Sequence, residues 1–267
     1  MCGFCGTALA AAEPPRETRR TVTVLFSDVS GSTALGERLD PESLRGVMSR
    51  YFAEMRRVIE RHGGTVEKFI GDAVMAVFGV PTLHEDDALR AVRAAAEMRT
   101  SLDALNVDLQ RERGVTIATR TGVNTGEVVA GAGGSQQTLV TGDTVNTAAR
   151  LEQAAAPGDI LLGRGTWNLV RDAVDAEPIE AIDAKGKAEP VAAWRLRSVR
   201  AGTPGHSRQL DAPMIGRERE LARLRQAYQQ AVEDRSCQLF TVLGPAGVGK
   251  SRLVAEFRDS VREEATV

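Results

Sequence analysis

Two aspartates, an Asn/Arg pair and four isolated lysines carry the chemistry that residue type and spacing make visible. Asp28 follows a β-rich run, Thr21–Ser27 (TVTVLFS), and opens the turn Asp28-Val-Ser-Gly-Ser-Thr33. Asp72 stands in the tight turn between two apolar runs, Thr65–Ile70 and Ala73–Phe78. Paired carboxylates that meet phosphate oxygens suit Mg²⁺, which keeps octahedral oxygen ligation. Two such ions activate an attacking oxygen and steady a leaving one. Behind Asp28, residues Gly31, Ser32 and Thr33 open a helix whose backbone N–H groups are placed to hold a triphosphate. Asn146 and Arg150 are four residues apart, hence on one helical face. An arginine fork there spreads two donors over phosphate oxygens as charge builds in a transition state. Read singly, Asp28 is a helix cap, Asp72 a hairpin-turn residue, and Asn146 with Arg150 an exposed helix face.

The basic residues total 34, yet only Lys68, Lys185, Lys187 and Lys250 are lysine. All four lie in glycine-containing motifs. In a chain that otherwise uses arginine, this marks places that need a compact ammonium rather than a planar fork.

The elements that must position these groups follow from periodicity. Asp40-Pro41-Glu42 starts a helix, with aspartate as cap and proline in first position. Leu44, Val47, Met48, Tyr51, Phe52, Met55, Val58 and Ile59 continue it at helical spacing, and Gly63-Gly64 ends it. A second amphipathic helix spans about Asp86–Gln110. Strands are expected at Val115–Val123, Glu127–Ala130, Thr138–Thr141, Ile160–Leu162 and Val191–Leu196, with a helix over about Thr144–Ala155. The leading order is βαββαβ, the arrangement of ferredoxin-like α+β folds. In such a sheet the strands bearing Asp28 and Asp72 are neighbours, so both acids can meet at one edge.

Composition bounds the partners. Of 267 residues, 42% are apolar and 26% charged, an ordinary globular balance that excludes collagen, pure coiled coil and wholesale disorder. The net charge of −2, with no block of like charge, argues against nucleic acid or an anionic membrane surface as partner. No apolar run is long enough to span a membrane and no secretory signal is recognisable. Three cysteines make no disulfide framework, so a reducing, cytoplasmic location is expected.

FSDVSGST (26–33), VEKFIGDAVMAVFG (66–79), GVNTGEVVAG (122–131), GDTVNTAARLE (142–152) and KGK (185–187) together resemble the class III adenylyl/guanylyl cyclase catalytic domain. The match keeps order and spacing over about residues 20–197. The resemblance implies a βαββαβ core, a head-to-tail homodimer with active sites at its interface, and conversion of ATP or GTP to the cyclic 3′,5′-monophosphate and diphosphate. It implies two Mg²⁺ or Mn²⁺ ions per site on Asp28, Asp72 and the backbone carbonyl of Val29. It makes Lys68 the purine-reading lysine, and Asn146 and Arg150 the pair that positions ribose and stabilises the transferring phosphate. Lys185 would bind the terminal phosphates, and Lys187 is read as a solvated turn residue.

One position departs from the family pattern. Three residues before Gly142, where the family carries a polar residue, stands Leu139, which cannot accept a proton from the adenine amino group. Lys68 can only donate, and adenine N1 accepts where guanine N1 carries a hydrogen, so ATP is expected over GTP with modest discrimination. The alternative is a degenerate domain that binds nucleotide, or only dimerises, and regulates an attached ATPase or transcriptional regulator.

The chain ends carry two further motifs. Residues 1–19 read as a tail in which Cys2-x-x-Cys5 resembles half a zinc ribbon; structural zinc wants four ligands. Residues 198–213 form a Gly/Pro/Ser linker. In residues 214–267, Gly244-Pro-Ala-Gly-Val-Gly249-Lys250-Ser251 fits the P-loop, between an expected strand at Gln238–Leu243 and a helix at Arg252–Val261. This looks like the start of a STAND- or AAA-like ATPase, expected to be truncated and without hydrolysis of its own. His62, His84 and His206 lack metal-type spacing. Glu85-Asp86-Asp87 reads as the acidic first turn of a helix, Gly131–Gly134 as a hairpin turn, and Trp167 and Trp194 as packing residues.

Overall fold

Thr, Val, Leu and Phe form the apolar run that marks the first strand in sequence, and β1 (Thr18–Ser30) continues three residues beyond each end of it. The computed structural model describes residues 18–132, 138–182, 190–201, 214–244 and 248–262. They fall into two units, Met1–Ser207 and Arg208–Val267.

In the first unit Gly31, at φ 75°, turns the chain from β1 into the short helix α1 (Ser32–Arg38). Asp40 then caps α2 (Pro41–Arg61): its carboxylate accepts the backbone N–H groups of Glu42 and Ser43 at 3.1 and 2.9 Å, while Pro41 fills the first helical position. The hairpin of β2 (Thr65–Ile70) and β3 (Ala73–Phe78) turns at Gly71, φ 64°, and Asp72. The long helix α3 (Asp87–Arg113) buries Leu89, Val92, Ala95, Met98 and Leu102 and ends at Gly114 in the left-handed region.

From residue 118 onward the structure differs from the expected elements. One 15-residue strand, β4 (Ala118–Ala132), replaces the two expected around Gly122 and Gly126. Gly122 does not break the strand; it gives room to a helix, because a Cβ there would stand 2.3 Å from the Ala148 carbonyl oxygen and 2.4 Å from the Glu152 nitrogen. That helix, α4 (Asp143–Ala154), follows the short strand β5 (Thr138–Thr141). After it come β6 (Ile160–Gly163), α5 (Arg164–Val170), β7 (Val174–Pro178) and β8 (Ala193–Val199). Neither α5 nor β7 is legible in the sequence pattern. Val191, expected to open the last strand, instead forms an isolated bridge to Ile182.

The sheet runs β2-β3-β1-β4-β6-β8-β7, with β5 paired to β4. Its first four strands follow the antiparallel order of a ferredoxin-like core. Two faces result. One buries Leu25, Val29, Val74, Ala76, Phe78 and Val123 under α2 and α3. The other buries Val22, Val24, Phe26, Met75, Val77 and Val128 with Val140 and Ala148. Trp167 and Trp194 stack with centroids 5.3 Å apart.

In the second unit, α6 (Glu218–Glu233) and α7 (Lys250–Val261) are helical. Gln238–Leu243, expected as a strand, is extended without a ladder: among the described residues it has no strand partner, and Leu239 and Leu243 are 94% and 87% exposed. An isolated strand cannot satisfy its backbone groups or bury its side chains.

Candidate active site

Alternation along β1 decides where Asp28 points. Val24 and Phe26 face α4, so Asp28 faces it too, while Leu25 and Val29 face the other way. The β1–β3 register ends at Ser27↔Val74. Asp28 is one residue past that pair on its strand and Asp72 two residues past it on the other, across a spacing of about 4.8 Å between strands. Both carboxylates act on the same neighbours: their charges add to burial in raising the pKa of Glu152 and of Tyr51. The two acids therefore converge at one end of the sheet. Val29, between them in sequence, is buried at 2% exposure on the α2 side.

Two partners of Asp28 escaped the sequence reading. Arg120, opposite Asp28 in the β1–β4 ladder, donates from Nη2 to its Oδ2 at 2.7 Å. The same nitrogen lies 3.1 Å from Oε1 of Glu152 on α4. Burial is the largest influence on the Glu152 carboxyl; Arg120 opposes it, Asp28 and Asp72 add to it, and the result is pushed up to about 7. Glu152 belongs to a motif singled out above, and Arg120 lies two residues before another. Only the strand register could join them to Asp28.

The remaining groups lie on the α4 side or outside the described residues. Lys68 is exposed and shares its register position with Met75, on the α4 face. The ladder slips between Val66 and Lys68, and the residue in the slip, Glu67, is buried at 8% exposure. Its carboxyl is raised by burial, with Lys68 and the backbone N–H of Val140 opposing. Glu67 thereby ties the bulge beside Lys68 to β5, a contact that sequence spacing does not reveal. Leu139 pairs with Gly131 in β5. On α4, Ala148 and Leu151 are buried against the sheet, whereas Asn146 is exposed and Arg150 half-exposed on the helix side turned away from it. Gly31 is left-handed at the start of α1, with Ser32 and Thr33 as the first helical residues. Lys185 and Lys187, Cys2 and Cys5, and His206 lie outside the described residues; of the expected turn at Gly131–Gly134, Gly131 and Ala132 instead continue β4 in its pairing with β5, and residues 133–134 lie outside the described residues.

The two described histidines pair with carboxylates. His62 Nε2 lies 2.6 Å from Glu97 Oε2, and His84 Nδ1 lies 3.2 Å from Asp87 Oδ1. Asp86 accepts from Arg90 Nε at 2.6 Å, so the acidic segment before α3 is committed to ion pairs. A cavity of about 750 Å³, lined in part by Val22, Gly79, Leu83 and His84, lies about 20 Å along β1 from Asp28 and includes neither aspartate of the site, Lys68, Asn146 nor Arg150. In the second unit, Lys250 Nζ donates to the Gly244 carbonyl at 2.9 Å across the P-loop. Gly249 is left-handed, Lys250 opens α7 and Ser251 is its second residue.

The donor set at the sheet end fits a hard divalent cation. Asp28 and Asp72 offer carboxylate oxygens; burial, with the charges of these two aspartates adding to it, pushes the neighbouring Glu152 carboxyl up to about 7. Among the described residues no group of three or more His, Cys, Asp or Glu forms a closed cage. An ion here would complete its shell with water and substrate oxygens, the habit of Mg²⁺.

Comparison with known proteins accords with this geometry. Residues 15–197 match the adenylate and guanylate cyclase catalytic domain family, and residues 213–267 match an AAA ATPase domain. The first match spans well over half the chain. Adenylate cyclase 1 of Rhizobium meliloti is 34% identical over 175 residues, which are 63% of this chain and 26% of that protein. A second R. meliloti protein, the uncharacterized R02095, is 29% identical over 91% of this chain, again covering only 24% of its own length. This chain thus spans about a quarter of those relatives. The adenylyl cyclase CyaB from P. aeruginosa superposes with a TM-score of 0.66 at 33% identity, covering 71% of this chain and 100% of that one. The guanylyl cyclase Cya2 gives 0.67 at 35%, covering 71% and 98%. No helix among the described residues is long and apolar enough to cross a membrane. With the sheet order, the converging aspartates and a family match across residues 15–197 in agreement, the chain belongs to the adenylate and guanylate cyclase catalytic domain family.

Proposed function

We propose that the chain converts ATP to 3′,5′-cyclic AMP and diphosphate as a head-to-tail homodimer with sites shared between subunits. The observation that carries this reading is the separation of two complementary halves. Asp28 lies on the strand beneath α4, and Asn146 and Arg150 lie on the far side of that helix. A second subunit turned head to tail brings its α4 face to the aspartates of the first.

In this reading the substrate 3′-oxygen bonds to the α-phosphorus as the bond to the β-phosphate oxygen breaks and diphosphate leaves. Asp28, Asp72 and the Val29 carbonyl would hold magnesium or manganese, which when bound would supply positive charge that acidifies the 3′-hydroxyl, its proton passing to water or a substrate phosphate oxygen, and offsets the phosphate charge. Arg150 spreads its guanidinium donors over the oxygens of the transferring phosphate, and Asn146 fixes the ribose. The backbone after Gly31 and the ammonium of Lys185 bind the terminal phosphates. Lys68 donates to adenine N1. Leu139 offers no acceptor to the adenine amino group, so discrimination against GTP rests on Lys68 alone and is modest. We read residues 20–197 as the cyclase domain, 1–19 as a tail, 198–213 as a linker and 214–267 as a P-loop segment. Among its described residues that segment forms no strand ladder, and Leu239 and Leu243 are exposed.

The test mixes two inactive variants, Asp72→Ala and Asn146→Ala, and assays cyclic nucleotide formation from ATP and GTP with Mn²⁺. A heterodimer regains one intact composite site, so mixing restores activity. Absence of rescue with both variants folded and dimeric refutes the shared site. Leu139 also favours a second reading, a regulatory domain that binds nucleotide without turning it over; nucleotide binding with no product from the natural chain is its signature.

A further inference from the structure

A single guanidinium nitrogen serves two carboxylates at the metal end of the sheet, and serves them unequally. Arg120 Nη2 donates to Asp28 Oδ2 at 2.7 Å, while Glu152 Oε1 stands 3.1 Å from the same nitrogen without a hydrogen bond. Two buried polar atoms are left unmatched: Nε of Arg120 has no acceptor and Oε1 of Glu152 has no donor. A buried donor and a buried acceptor left idle beside one another are costly. They mark a second arrangement within reach, in which the guanidinium turns from Asp28 to Glu152.

The charges give that second arrangement a cause. Among the described residues Arg120 is the cation that acts on Glu152 beside the negative charges of Asp28 and Asp72; Tyr51, on the opposite side of β1, is neutral. A divalent ion that takes the oxygens of Asp28 competes directly with Arg120 for them. If Arg120 had no other partner, it would be left beside the ion as a repelling, unpaired charge. Glu152 is only 8% exposed and fixed to the sheet by the close approach of α4 to Gly122, so it waits at a set distance.

We propose that Arg120 is a displaceable counter-ion of Asp28, and that Glu152 is the positioning residue that receives it when a divalent cation takes Asp28. The inference rests on the reading of Asp28 and Asp72 as the cation-binding pair. Glu152 touches neither substrate nor ion; it acts through Arg120, by holding the guanidinium clear of the cation.

The experiment follows Arg120 itself. The full chain carrying ¹⁵N-labelled arginine is titrated with Mg²⁺, and the Arg120 Nε–H signal is assigned by its loss in Arg120→Lys. The expected result is a saturable shift of that signal, absent in Asp72→Ala. In parallel, Mn²⁺ affinity without nucleotide is read by electron paramagnetic resonance. Glu152→Gln is expected to raise the Mn²⁺ dissociation constant about tenfold, the weight of one charge-assisted hydrogen bond. Glu152→Asp, which keeps the charge but shortens the reach, is expected to behave like Glu152→Gln. Mn²⁺ binding with an unmoved Arg120 signal overturns the hand-over and leaves the cyclase reading standing. Wild-type Mn²⁺ affinity in Glu152→Gln, or its full return in Glu152→Asp, overturns the role of Glu152. No Mn²⁺ binding, together with no product in the mixing assay, overturns the cyclase reading and this inference with it.

Discussion

Replacing Gly122 by alanine tests whether the seat of α4 on β4 sets the catalytic geometry. The added Cβ would meet the Ala148 carbonyl oxygen at 2.3 Å, the Glu152 nitrogen at 2.4 Å and Leu151 Cβ at 2.9 Å. The first two are backbone atoms of a helix and cannot rotate away. Ordinary contact would require α4 to lift by about 1 Å. Overpacking of this kind costs about 1–3 kcal/mol, and the same lift moves the helix that bears Asn146 and Arg150. A misplacement of about 1 Å costs about a hundredfold in rate. Gly158→Ala is the control: at φ 87° with nothing within 4 Å, it introduces only left-handed strain of about 1–2 kcal/mol and leaves α4 in place. Urea unfolding and cyclic nucleotide formation are measured for both. The expected pattern is comparable destabilisation, with rate loss confined to Gly122→Ala. A Gly122→Ala protein that keeps full rate, or that unfolds within about 0.5 kcal/mol of the natural chain, refutes the reasoning.

Lys68→Ala is expected to cut the ratio of ATP to GTP turnover about tenfold, the value of one charged hydrogen bond; an unchanged ratio means that Lys68 does not read the base. The Glu152 carboxyl, pushed up to about 7 from 4.5, gives a pH dependence of defined sign. Its folded value lies above its unfolded one, so the stability it lends is complete below pH 4.5 and lost as pH rises through 7. Without added divalent ions, the melting temperature of Glu152→Gln should therefore gain on that of the natural chain between pH 5 and 8. A difference that does not change with pH contradicts the burial of this carboxyl.

The hairpin β2–β3 is legible residue for residue, because Gly71 and Asp72 punctuate two apolar runs whose partners are adjacent in sequence. The start of α2 is equally local: Asp40 and Pro41 specify it without help from the rest of the chain. What the sequence hides is fixed at long range. The segment 124–126 reads as an interruption between two strands, yet β4 runs through it, since the absent side chain of Gly126 makes room for Thr144, as that of Gly122 does for α4. The strand β7 is short and of mixed polarity, and only its pairing with β8 orders it. Conversely, the apolar run 238–243 has strand composition but, among the described residues, no strand to pair with. The same division holds at the site. The meeting of Asp28 and Asp72 follows from strand order, whereas Arg120 acquires its contact from register with residue 28, some 90 positions away.

β1 and β4 pair without a break from Thr18↔Ala130 to Ser30↔Ala118, and α4 is locked against that pair. Asp28 and Arg120 ride on this girder, and Asn146 and Arg150 ride on the helix bolted to it. Parts of such stiffness open only with the whole fold and move as blocks rather than bending. If the halves of the site come from two subunits, a stimulus that switches the enzyme has little to gain by deforming either half. Its leverage lies in the angle and gap between subunits, where a small rigid rotation opens or closes both sites at once.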